Sequence, residues 1–367
     1  MKVLIFYGSL SEFNKHIPEK NIVSVVDLAI KDDDERHKLK LKIPGEEEEE
    51  QEQVYYEHVV GYADDFPSLT ESLIESFVGF IFRFDIENLY LQNPPDSIAR
   101  HINELTTVDC EIKRQRYKAL DLGKLQTIKN GFSNKILGQE HAEQKIIGTL
   151  YDVAKKRYNK PCVMLFYGST GVGKTETAKY IADVLQEKLF RKQFSMLHSE
   201  EFTSYLFGGK HNQNSFAKEL LERESNVILL DEFDKPHPVF YSAFYQLFDE
   251  GVFSDKNYTV KMDNAIIICT SNFQSETQIR NQLGDPIFSR FDAVVQFNDL
   301  SIESVKELIR REYSKQYSQL EKEEKVIIDE FDLLNRLIDI ADKLKNARQI
   351  KRVVREAISG RLINQLL

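Results

Sequence analysis

The run 168-GSTGVGKT-175 places four residues between Gly168 and Gly173 and follows the latter directly with lysine and threonine. That is the spacing of a phosphate-binding P-loop. Glycines at 168, 171 and 173 let consecutive backbone N–H groups converge on phosphate oxygens where a Cβ would crowd them. Lys174 is expected to reach the β and γ phosphates and the Thr175 hydroxyl to ligate Mg²⁺, with Ser169, Thr170, Gly171, Val172, Gly173 and Glu176 completing the nucleotide-binding run. The flanks agree. "CVMLFYG" reads as a strand, and "TETAKYIADVLQEKL" as a helix with Ala178, Ile181, Ala182, Leu185 and Leu189 on one face, its N-terminus adding partial positive charge.

Downstream, 227-VILLDEFDK-235 is an apolar strand ending in two carboxylates. Burying such a pair is costly unless a cation or substrate compensates. Asp231 is expected to hold the Mg²⁺ shell and Glu232 to take a proton from the attacking water, which points to hydrolysis rather than binding alone. A third apolar run, "NAIIICTSN", alternates with helical segments, so a parallel sheet with helices on both faces is expected, its ligand at the carboxyl ends of the strands. After Leu300 the strands stop. "SIESVKELIRREYSKQYSQL", "IIDEFDLLNRLIDIADKLK" (capped by Asp329, with Asp332 near its first turn) and "ARQIKRVVREAISGRLINQLL" read as amphipathic helices.

The first third is less explicit. "VLIFYG" reads as a buried strand, "SLTESLIESFV" as a helix, and Phe80, Phe82, Phe84 and Ile86 alternate as a half-buried strand would. "LQNPPDSIARHINEL" restarts the chain as a helix capped by Asp96 or Ser97. Residues 32–53 carry ten acidic and four basic side chains, six of the ten net negative charges of the 367-residue chain. The glutamate run reads as a solvated loop or an acidic docking site. With 41% hydrophobic and 29% charged residues, no apolar run near the roughly 18 residues of a membrane span, and three scattered cysteines, the composition suits a globular cytoplasmic protein. It argues against disulfides, a zinc site or a broad basic nucleic-acid surface.

"NKILGQEHAEQKI", "GSTGVGKTE", "VILLDEFDKPHPVFYSAFYQLFDEGVFSD", "NAIIICTSN", "PIFSRFD" and "NARQIKRVVREAI" occur in an order that resembles the Clp-type AAA+ ATPases, above all the second ATPase module of the ClpB and ClpA class. The resemblance covers about residues 130–367. Residues 1–124 lie outside it and read on their own as a separate, mixed α/β partner-binding or scaffold domain; the resemblance implies an AAA+ nucleotide-binding domain over 125–300 and a helical lid over 301–367. It further implies that Ile136 and Leu137 line the adenine pocket and that Asn272 senses the γ-phosphate. By the same resemblance, Arg290 is the finger completing a neighbouring subunit's site and Arg348 the lid sensor. Read on their own, Asn272 is also a turn residue, Arg290 a partner for Asp285 or Asp292, and Arg348 one more basic residue on a solvated helix. Asn346 stands where the family has glycine, as the side chain most tolerant of a left-handed backbone.

Two departures bear on function. Between "YLFGG" and "NSFAKELLE", where such unfoldases carry an aromatic loop that grips a translocating polypeptide, only "KHNQN" remains. Tyr205 and Phe207 precede the glycines and are expected in the core. No Ile-Gly-Phe or Leu-Gly-Phe element follows Asp231, so docking to a ClpP-like protease has no support. The expectation is an ATP- and Mg²⁺-dependent ATPase in a homo-oligomeric, hexameric ring. It either remodels protein substrates recruited through the N-terminal domain or acts as a nucleotide-controlled assembly switch that threads nothing. Lys210 and His211 either grip by polar contacts or mark a module that has ceased to thread.

Overall fold

The computed structural model describes residues 1–37, 54–157, 160–196 and 199–366. The glutamate run lies outside the described residues. The chain divides into two compact units, one of Met1–Tyr117, Leu197–Glu224 and Gly251–Met262, the other of Lys118–Met196, Ser225–Glu250 and Asp263–Leu367.

In the first unit β1 (Lys2–Tyr7), β2 (Ile22–Ser24), β3 (Tyr55–Gly61), β4 (Asp85–Gln92) and β5 (Asp109–Arg114) form an all-parallel sheet in the order β2-β3-β4-β1-β5. Val3, Ile5, Val59, Leu89 and Leu91 alternate onto one face and pack with Phe66, Phe77, Phe80 and Ile98. Two expectations change here. Phe80 belongs to a short helix, Phe77–Ile81, and the strand starts only at Asp85, so the Phe80-Phe82-Phe84 spacing spans a helix end and a turn. Pro95, rather than Asp96 or Ser97, is the cap of helix Asp96–Asn103, because its ψ of 145° places it just outside the first turn. The hairpin of β9 (Val252–Ser254) and β10 (Thr259–Lys261) completes this unit with helices Ser199–Phe207 and Phe216–Leu221.

The second unit holds β6 (Cys162–Tyr167), β7 (Phe190–Gln193), β8 (Val227–Asp231), β11 (Ile266–Thr270) and β12 (Ala293–Gln296), parallel in the order β12-β6-β11-β8-β7. Every residue of β6, β8 and β11 is buried, which is why these three read as unbroken apolar runs. Helix Lys174–Leu185 buries Ala178, Ile181, Ala182 and Leu185, and it stops before Leu189. A separate cluster built on Val305, Ile309, Leu333, Ile350 and Val354 forms the core of the C-terminal helices Ile302–Tyr317, Lys322–Glu330, Leu333–Asp339 and Ala347–Leu366. The expected second helix of this region is broken in two. Asp329 lies inside the first piece, and Asp332, at φ +52°, is the left-handed hinge between them. Among the described residues no helix is long and apolar enough to cross a membrane.

Candidate functional site

The loop at the carboxyl end of β6 is shaped by its glycines. Gly168, Gly171 and Gly173 have φ of +131°, +75° and +115°. A Cβ on Gly168 would lie 2.2 Å from the Phe297 carbonyl oxygen, one on Gly171 3.0 Å from Asn346 Cβ, and one on Gly173 3.0 Å from Ile136 Cγ2. The loop is therefore pressed on three sides, and only glycine satisfies both the dihedral and the space. Val172 is buried in one core with Ile136 and Phe297, Ser169 and Leu137 are half-buried, and Thr170 is exposed. Gln139, whose part was not legible in the sequence, ties the loop down. Its Nε2 donates to the carbonyls of Val172 (3.3 Å) and Asn298 (2.8 Å), and its Oε1 accepts from Asn298 N (2.9 Å).

Lys174 opens the helix with its ammonium folded back into the loop. Nζ donates to the carbonyls of Gly168 (2.6 Å) and Ser169 (2.7 Å) and reaches Asn272 Oδ1 at 3.4 Å. Burial lowers its pKa to about 8, with the charges of Asp234 and Asp231 opposing the shift and Arg348 adding to it. Three neutral oxygens leave a largely buried cation short of counter-charge. A phosphate would supply it, so the residues present fit a nucleotide.

The two carboxylates end β8. Asp231 Oδ1 accepts from Thr270 Oγ1 at 2.5 Å, and Oδ2 accepts from Arg191 Nη2 at 2.6 Å and Nε at 3.1 Å. Glu232 sits at φ +57°; its N–H donates to Thr270 Oγ1 (3.1 Å), and its Oε2 accepts from Gln193 Nε2 (3.1 Å). The parallel register explains this pairing. Gln193 lies opposite Asp231 and Arg191 opposite Leu229, so alternate side chains of β7 reach the carboxylates at the end of its neighbour. Arg191 and Gln193 were missed in the sequence because β7 reads "FRKQ", a polar stretch without apolar signal. Asp231 with the half-buried Thr175 offers a carboxylate and a hydroxyl, a donor set suited to a hard cation that keeps most of its water. Glu176 is exposed in the first turn of the helix.

The remaining sequence-derived residues divide. Asn272, just past β11, is brought to Lys174. Arg348 is exposed at the start of the last helix, near enough for its charge to act on Lys174. Asn346 is not left-handed as expected: its backbone has no positive φ, and its Oδ1 accepts from Gln349 N at 2.9 Å, so it is a helix cap. Ala347 N donates to the Gly171 carbonyl at 3.0 Å, which fastens that helix to the phosphate loop. Arg290 has no hydrogen bond to the loop. Its Nε donates to Asp249 Oδ2 (2.8 Å), its Nη1 to the Pro286 carbonyl (2.5 Å), and its guanidinium lies 4.2 Å from the Tyr245 ring centre. Its partner is thus neither Asp285 nor Asp292, which pair with Arg280 and Lys160.

Residues 159–340 match the family model described as AAA domain (Cdc48 subfamily). Over 212 residues the chain is 27% identical to the chaperone protein ClpB of Malacoplasma penetrans, covering 51% of this chain and 30% of that protein. It is 25% identical over 245 residues to the ATP-dependent Clp protease ATP-binding subunit ClpE of Bacillus subtilis, covering 58% and 35%. The chain thus spans about a third of the length of these relatives. The fold matches Hsp104 of S. cerevisiae, solved as a casein complex, with a TM-score of 0.55 at 21% identity, over 66% of this chain and 48% of that one.

Proposed function

We propose that this chain, which belongs to the Clp-type AAA+ ATPases, binds ATP with Mg²⁺ and hydrolyses it as the working step of a ring-forming protein-remodelling machine. The observation that carries the proposal is the convergence of Lys174, Asn272, Asp231 and Glu232 at the carboxyl ends of β6, β11 and β8. Loop N–H groups and the Lys174 ammonium hold the phosphates. Ile136 and Leu137 flank the base, and Thr175 and Asp231 hold the magnesium, which when bound neutralises charge on the phosphate oxygens. Asn272 orients the attacking water. Glu232 takes its proton once it leaves the Gln193 amide that holds it. Arg348 reports phosphate occupancy to the lid. Arg290, parked on Asp249 and Tyr245, is free to trade those contacts for the nucleotide of the next subunit in a homo-oligomer, the hexamer being the arrangement that resemblance suggests.

A second reading is a nucleotide-controlled assembly or switch protein that threads nothing. It is favoured by the short loop between Gly209 and Ser215, in which His211 is bonded to the Leu69 carbonyl at 2.7 Å. Measuring unfolding of a tagged reporter together with oligomer size, each with and without ATP, tests the two. Unfolding supports the motor, and ATP-dependent oligomers that leave the reporter folded support the switch.

A further inference from the structure

The short loop and its flanks form part of the first unit, and where they attach follows a rule. In open parallel sheets ligands enter at the carboxyl ends of the strands. The segments 199–224 and 251–262 attach to that edge of the β2-β3-β4-β1-β5 sheet. Past β3, the Leu69 carbonyl accepts from His211, which must carry its proton on Nε2 to donate at 2.7 Å, and Asp64 Oδ1 accepts from Lys218 Nζ at 3.0 Å. Past β4, Asp96 N donates to the Asn257 carbonyl at 2.8 Å, and Asn257 Nδ2 in turn donates to Gly209 O at 3.3 Å. Past β5, Tyr117 stacks under the Arg223 guanidinium at 4.3 Å and donates to the Arg223 carbonyl at 3.3 Å. Burial is substantial, since Lys218 is 7% and Arg223 5% exposed. The gripping position itself is rigidly turned: a Cβ on Gly208, at φ +80°, would lie 2.8 Å from Lys256 N.

We propose that residues 204–224 are docked in cis on the carboxyl edge of the N-terminal sheet in every nucleotide state, so that motion driven by ATP is delivered to residues 1–117 and not to a threaded polypeptide. The proposal sides with the reading in which nothing is threaded and rests on ATP hydrolysis for its driving force, while the docking stands on its own contacts. A side chain that must grip a passing polymer has to be solvated and mobile. His211 instead spends its ring nitrogen on Leu69, and Lys218, in the helix that follows the loop, its ammonium on Asp64 of the same unit, while Lys210 and Phe207 stay exposed.

The test replaces Asn212, an exposed neighbour of His211, with the photo-crosslinker benzoylphenylalanine in the full chain. The chain is mixed from isotopically light and heavy copies and irradiated with ADP or ATPγS, each with and without casein as the unfolded probe. Expected are cross-links to residues 62–70 of the same copy under all conditions and no casein adduct. A casein adduct with ATPγS, loss of the internal cross-link, or a light-to-heavy cross-link overturns the proposal. Hydrogen exchange gives a second readout. Asp64→Lys speeds exchange in 209–224 by about five-fold, the worth of a part-exposed ion pair, and adding Lys218→Glu restores it; unchanged exchange in Asp64→Lys counts against docking. Binding of a fluorescent ATP analogue is measured on the same samples, so failure to bind nucleotide sinks the ATP reading without touching the cross-link.

Discussion

Arg191 holds the Asp231 carboxylate through two donors on one oxygen, at 2.6 and 3.1 Å. In the proposed role of Asp231 as a magnesium ligand, the guanidinium and the cation compete for this carboxylate. Because Arg191 is 41% exposed, solvent limits the pair to about 1 kcal/mol. Arg191→Met is expected to lower the Mg²⁺ concentration for half-maximal nucleotide binding roughly five-fold. An unchanged or raised requirement in a Mg²⁺ titration with a fluorescent nucleotide would contradict the competition.

Lys174 makes nucleotide affinity sensitive to alkali. With its pKa lowered to about 8 by burial, the unliganded lysine loses its proton above that pH, whereas bound phosphate holds it charged. Affinity should fall as pH rises past about 8, with proton uptake on binding that is absent near pH 6.5. Calorimetry in buffers of different ionisation enthalpy measures both. The stability sign is opposite: between about 8 and the ordinary 10.5 the unfolded chain binds more protons, so the unliganded fold gains stability as pH rises through that window.

Gly168→Ala should destabilise the fold by about 2 kcal/mol or more, because strain at φ +131° adds to a clash with a backbone oxygen that cannot rotate away. Gly148→Ala is the matched control. It lies in helix Glu140–Ala154 with open space around its Cβ, so it should gain about 0.5–1 kcal/mol from helix propensity. Urea denaturation of the two variants measures the contrast.

Arg290→Ala should abolish turnover without weakening nucleotide binding, since its contacts are to Asp249, Pro286 and Tyr245 and none is to the phosphate loop. Wild-type turnover should also rise with protein concentration. Full activity in a dilute monomer, measured by phosphate release alongside light scattering, would remove Arg290 from catalysis.

What the sequence disclosed follows from burial. β6, β8 and β11 are buried along their whole length, so apolar runs announced them and their carboxyl ends located Gly168, Asp231 and Asn272. β7 is an edge strand with a polar sequence, so Arg191 and Gln193 were hidden, and only the folded register against "VILLD" reveals their part. Tyr205 was expected in the core and is, 6% exposed with its hydroxyl bonded to Glu219, but Phe207 is 44% exposed. The attachment of His211 to Leu69 joins residues 142 apart in sequence, and no local pattern encodes such a contact.

Glu232 carries the central claim, and Glu232→Gln tests it most directly, by phosphate release and by equilibrium binding of a labelled ATP on one preparation. The substitution keeps a side chain able to bond Gln193 while removing the base, so ATP affinity should stay within about two-fold of wild type and turnover should drop by at least roughly 100-fold. Near-normal hydrolysis by that variant would contradict the assignment.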